Sequence, residues 1–134
     1  MDSIDYKEIA KKYHTEKTYK HVLRVAEFVS ENSLIPEQSK EFCVNLAYMH
    51  DIIEDTDFPI EEIKDRRFRE CLSLLTRKDY EEYVQYIQVI KEMAYMYPEV
   101  YWVKLADMKD HLSQTETLTS RLKEKYLTAL PHLL

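Results

Sequence analysis

"TYKHVLRVAEFVSEN", residues 18–32, places Val22, Val25, Ala26 and Val29 at spacings of three and four. That is the period of a helix with one buried face, not the two-residue alternation of a strand. Thr18 is a candidate N-cap, since a threonine hydroxyl accepts from a backbone N–H that lacks a helical partner. The same period recurs on both sides. Upstream, "SIDYKEIAKKY" (3–13) opens with Ser3 as its candidate cap. Downstream, "NSLIP" (32–36) is a connection, and Pro36 suits the first turn of a helix over about 37–53. That helix carries Phe42, Cys43, Leu46, Ala47, Met49 and Ile53.

Pro59 opens a short helix, "PIEEIKD". It is followed by "FRECLSLLT" (68–76), "YEEYVQYIQVIKEMAYM" (80–96), "PEVYWVKLADMKDHL" (98–112) and "ETLTSRLKEKYLTAL" (116–130). "VYWVKL" (100–105) is the one run a strand would also explain, but its neighbours are helical. There is no internal repeat, low-complexity tract or linker. The pattern predicts one all-α domain over residues 1–134, a bundle of about seven helices.

An apolar content of 45% over 134 residues leaves room for one core without staples. The net charge of −6 argues against a nucleic-acid or membrane-surface binder, which needs a broad basic face. It leaves open a small phosphorylated ligand. Cys43 and Cys71 sit inside helical patterns and read as buried thiols, with no zinc or disulfide spacing. The first residues lack an apolar leader, and no run nears the roughly 18 residues that span a bilayer. A reducing, cytoplasmic setting is the expectation. Glycine is absent altogether, which excludes glycine-rich phosphate loops and the dinucleotide fingerprint. Any phosphate site must be built from side chains and metal.

"HDIIEDT", residues 50–56, holds four ionisable groups in six residues. Glu54 follows His50 by four, and Asp55 follows Asp51 by four, so each pair shares a face if the helix continues. Imidazole and carboxylate side by side suit a borderline divalent cation. Two ligands do not hold a metal tightly, and the chain offers others. His21 is embedded in the apolar helix quoted first, and Asp107 follows Trp102, Val103, Leu105 and Ala106. Three helices would then send His21, His50 with Asp51, and Asp107 to one point. Taken singly, His21 reads as a satisfied core histidine, Asp107 as a surface carboxylate or cap, and "EDTD" as a solvated turn. His14 and His132 have no supporting neighbours in the sequence.

The order H…HD…D resembles the HD-domain superfamily of metal-dependent phosphohydrolases. "HDIIEDT" is similar to the HD-x-x-E-D-T motif of the RelA/SpoT-type hydrolase domain, and "VKLAD" to its V-K-L-A-D motif. "HVLRVAEFV" matches the helix bearing the first histidine, and "LTRKDYEEYVQYI" resembles a segment of small single-domain relatives. The resemblance spans roughly residues 15–130 with the motifs in order. It implies that His21, His50, Asp51 and Asp107 hold one divalent ion, manganese in that family. It implies that Glu54 and Asp55 orient and activate the attacking water, and that Lys104 acts beside the last ligand.

The implied reaction is removal of the 3′-pyrophosphate from guanosine tetra- or pentaphosphate. Lys17, Arg24 and Arg77 are further candidate phosphate contacts, each with a solvated cation as its plain alternative; Lys78 reads as a helix-end cation. Tyr19 or Tyr83 are candidates for stacking on a base.

Two departures bear on substrate. The family's basic, glycine-containing loop before the first histidine is here only "HTEKTYKH", and the usual asparagine four residues after the last aspartate is His111. Hydrolysis of another phosphorylated nucleotide, 5′-nucleotidase-like, therefore stays open, as does a non-catalytic nucleotide-binding module. Intact acids at 54 and 55 weigh against the module, because a pure binder needs no base.

Overall fold

The computed structural model describes residues 4–134, and the Ser3 cap lies outside them. The chain is all-helical, with no strand among the described residues. Seven helices have eight residues or more: α1 (Tyr6–Tyr13), α2 (Glu16–Glu31), α3 (Glu37–Met49), α5 (Arg66–Leu75), α6 (Tyr83–Met93), α7 (Pro98–Ser113) and α8 (Ser120–Leu133). A single turn, α4 (Ile52–Asp55), and a 3₁₀ turn at Ile60–Glu62 complete the set. The seven expected helices are therefore present, while "PIEEIKD" supplies only the 3₁₀ turn.

Caps fix where each helix begins. Thr15, not Thr18, caps α2: its hydroxyl accepts from the Thr18 N–H at 3.2 Å. Lys17 consequently lies in the first turn of α2 rather than in a loop. Asp5, Asp65 and Thr119 cap α1, α5 and α8 through the N–H groups of Glu8, Phe68 and Leu122. Glu82 and Gln85 form a reciprocal capping box at α6. Among the described residues none has a positive φ, so these turns need no glycine. Lys78 lies at the end of α5, its ammonium on the Ser73 and Thr76 carbonyls at 2.7 and 2.8 Å.

The expected helix over 37–53 is broken at residues 50 and 51. The His50 side chain explains it: Nδ1 donates to the Ala47 carbonyl at 2.6 Å, taking the acceptor that would continue the helical ladder. Asp51 then has φ −100° and ψ 2°, and α4 begins at Ile52. The break turns Ile52 into the core and leaves Ile53 exposed, the reverse of a continuous helix.

Helix α2 packs on both α3 and α7, and α3 packs on α7, making a central three-helix layer. Helices α1 and α5 cover α3; α6 and α8 pack together on α7. Phe68, Leu46, Leu72, Ile87 and Met108 fill the centre. Helix α7 is buried on most of its circumference, which is why its sequence shows no clear stripe. Cys43 and Cys71 are buried, and burial, with the Glu99 charge added, pushes both thiols up to about 12. Arg67 of α5 clamps Glu99 of α7 through two bonds of 2.9 and 2.8 Å.

Candidate metal centre

The central layer brings four sequence-distant side chains to one place. His21 comes from the middle of α2, His50 and Asp51 from the break after α3, and Asp107 from α7. One donor atom from each lies within 4.8 Å of all the others. Asp107 is the hub. Its Oδ1 accepts from His21 Nε2 at 2.9 Å and from His50 Nε2 at 3.1 Å. Its Oδ2 accepts from the Lys104 ammonium at 2.8 Å. Asp51 Oδ2 lies 3.3 Å from His50 Nε2 and 3.5 Å from His21 Nε2.

Both histidines are also held from behind. His21 Nδ1 donates to Asp110 Oδ2 at 2.6 Å, and His50 Nδ1 donates to the Ala47 carbonyl. Arg24 grips Asp110 through Nε and Nη2 at 2.7 and 3.1 Å. A carboxylate or carbonyl on the outer nitrogen fixes the ring and leaves Nε2 facing inward, as metal-binding imidazoles require. The donor set is two imidazoles and two carboxylates. That chemistry fits a divalent transition ion.

Every ring nitrogen of His21 and His50 faces an acceptor, an arrangement that favours the doubly protonated form of each ring. Burial works against charge on His21, but the hydrogen bonds to Asp107 and Asp110 outweigh it and raise its pKa to about 10. His50 is likewise raised: burial opposes, and Asp51 and Asp107 prevail. Burial also disfavours the Asp107 anion, yet Lys104, His111, His21 and His50 hold it well below the usual carboxylate range.

Beside the cluster lies a cavity of about 350 Å³ lined by Lys17, His21, Arg24, Asp51, Asp55 and His111, among others. Tyr126 of α8 forms part of its wall and stacks on His111 at 4.7 Å between ring centroids. Asp55 is on the rim; burial, with Asp51 and Glu54 nearby, raises its pKa above the ordinary value. Lys17 and Arg24 face the cavity as expected, with Arg24 already paired to Asp110.

Three expected residues lie elsewhere. Glu54 sits in a neighbouring notch with Arg77, its Oε1 accepting from the Arg77 backbone N–H at 2.6 Å. The break at 50–51 explains this, since Glu54 no longer shares the His50 face. Lys104 is buried behind the Asp107 carboxylate, its ammonium beside the Tyr83 and Tyr86 rings. It holds Asp107 and does not line the cavity. Tyr83 is packed by Tyr86, Tyr126, Lys104 and Lys125, which leaves its ring no open face for a base.

Asp110 went unrecognised in the sequence, though its spacing of three from Asp107 puts both on the α7 face that meets α2. His111 reaches Asp107 Oδ1 at 3.3 Å, so the residue in the asparagine position joins the cluster. His14 is buried beside it, with Asp51, His50 and His21 as its charged neighbours. Among the described residues no helix is long and apolar enough to cross a membrane. No protein family, curated protein or solved structure matches the chain.

Proposed function

We propose that the chain is a metal-dependent phosphohydrolase of the HD-domain type acting on a phosphorylated nucleotide, with manganese as its ion. The first-choice reaction is removal of the 3′-pyrophosphate from guanosine tetra- or pentaphosphate. The convergence of His21, His50, Asp51 and Asp107 carries this reading, because it joins the two motifs on which the resemblance rests. When bound, the ion lowers the pKa of water and neutralises phosphate charge.

The protein's own groups divide the remaining work. Asp55, raised in pKa and lining the cavity, accepts the proton of the attacking water. Lys17 and Arg24 attract the phosphate chain along one wall, and the Tyr126–His111 stack closes another. Asp110 keeps His21 turned toward the ion, and Lys104 does the same for Asp107. Glu54 secures the loop after α5 through the Arg77 N–H.

The test is a manganese-supplemented screen of guanosine and adenosine 3′-pyrophosphates and 5′-mononucleotides. The expected outcome is metal-dependent pyrophosphate release from the guanosine 3′-pyrophosphates, lost in His50→Ala. No metal-dependent release from any nucleotide would overturn the reading. One observation favours the 5′-mononucleotide arm as a second reading. Of the expected phosphate contacts, Arg24 is on a carboxylate and Arg77 is outside the cavity, and Lys104, expected beside the last ligand, is on a carboxylate too. A substrate with fewer phosphates needs fewer cations, and orthophosphate release would report it.

A further inference from the structure

His111 holds the position where the resembled family has asparagine, and the structure sets it against the cluster. Asp107 Oδ1 is met by three imidazole nitrogens: His21 Nε2 at 2.9 Å, His50 Nε2 at 3.1 Å and His111 Nε2 at 3.3 Å. The first two belong to the four-residue donor set. The third comes from α7 itself, one turn beyond Asp107, where a spacing of four puts both side chains on one face.

A plain supporting role would make His111 another hydrogen-bond donor to Asp107, as Lys104 is. That role is already filled. A carboxylate oxygen has two lone pairs, and those of Oδ1 have His21 and His50 as partners. A third imidazole on the same oxygen is surplus as a support, but a ring nitrogen at that point is a metal donor. Asparagine would offer only an amide there.

The ring is also held in a definite pose. It packs on the His21 ring, with centroids 4.6 Å apart and planes at 32°, and stacks on the Tyr126 ring at 4.7 Å and 10°. Two tilted but adjacent rings, from α2 and α7, thus bring Nε2 to one oxygen. His21 and His50 are fixed through their outer nitrogens, on Asp110 and on the Ala47 carbonyl. For His111 the packing of rings does that work. Its side chain is 36% exposed, against 10% for His21 and 2% for His50, and it lines the cavity. His111 therefore stands at the open edge of the cluster and touches the donor set through Asp107. An octahedral ion such as manganese keeps positions open beyond four protein ligands.

We propose that His111 is a fifth ligand, its Nε2 closing on the ion held by His21, His50, Asp51 and Asp107. The inference rests on the metal reading above and deepens it. The centre then has three imidazoles and two carboxylates, and the consequence is selectivity. Imidazole suits nickel, iron and zinc, whereas carboxylate and water suit manganese. Relative to the same centre with asparagine, the third ring shifts preference toward the first group.

The experiment is pulsed EPR of manganese-loaded protein carrying 15N-labelled histidine, which counts the imidazoles on the ion, in the parent, His111→Asn and His111→Phe. The expected count is three in the parent and two in each variant. Phenylalanine keeps a ring against His21 and Tyr126 but has no nitrogen, so the melting temperature of His111→Phe in chelator should hold. In chelator competition both variants should lose nickel affinity by about 10-fold or more, and lose less for manganese.

A parent count of two overturns this inference and leaves the metal reading standing. A count of three that persists in both variants also overturns it, since the third ring is then another histidine. Nickel affinity within about two-fold of the parent in both variants does the same. A parent that binds no manganese overturns both readings. If neither variant folds, the parent count alone decides.

Discussion

The proposed ion would take the place of protons on His21 and His50. Each ring faces acceptors on both sides, with Asp110 and Asp107 on His21 and the Ala47 carbonyl and Asp107 on His50. Both are raised in pKa, His21 to about 10. His21 is therefore biased to the charged form at pH 7, and His50 is pushed in the same direction. Metal ligation needs Nε2 deprotonated, so binding expels the protons. Calorimetry of manganese binding at pH 7, in buffers of different ionisation enthalpy, should report release of about one proton per ion or more. Release near zero would show that the rings are neutral and that the hydrogen-bond assignment is wrong. The convergence of His21, His50, Asp51 and Asp107 was legible in the sequence because each sits in a short motif. His14 was not: its neighbours Asp51, His50 and His21 are brought to it by the packing of α1 on α2 and α3, and nothing local announces them.

Helix α4 is the element on which the proposed reaction turns. In the sequence, "HDIIEDT" looks like the end of a longer helix, and the spacing of four joined Glu54 to His50. The periodicity and caps that made the other helices legible say nothing about a side chain competing for the Ala47 carbonyl. That competition ends α3, and the two acids of α4 line different cavities. Asp55 lines the cavity; Glu54 holds the Arg77 N–H in the next notch. Asp55→Asn should keep its metal and lower turnover by ~10²-fold or more, the scale of a lost acid or base. Glu54→Gln still accepts from the Arg77 N–H and should lose less. Metal content and rate on the same preparations compare them, and the opposite ranking would return the proton-accepting role to Glu54.

Across the whole molecule, the central layer of α2, α3 and α7 ties stability to the protonation of the cluster. His21 has its folded pKa raised from 6.5 to about 10. Its contribution is complete below about pH 6.5 and is lost as pH rises through 10. Asp107 has its folded pKa depressed, so its contribution is present above the ordinary carboxylate range and lost as pH falls below it. Without metal, the melting temperature should decline from pH 6.5 upward. With manganese the sign reverses, because fewer protons compete for Nε2: the rise in melting temperature on adding the ion should grow over the same window. Thermal scans with and without chelator from pH 6 to about 9 test this, and a metal increment that shrinks with pH would refute it.

The same ion pairs bear on the order of assembly. A structural zinc site is commonly formed only as its chain folds around the ion. Here Asp107 already has Lys104, His21 and His50 as protein partners. On the proposed reading the fold is therefore reached before metallation, and chelator-treated protein should keep its helical circular dichroism.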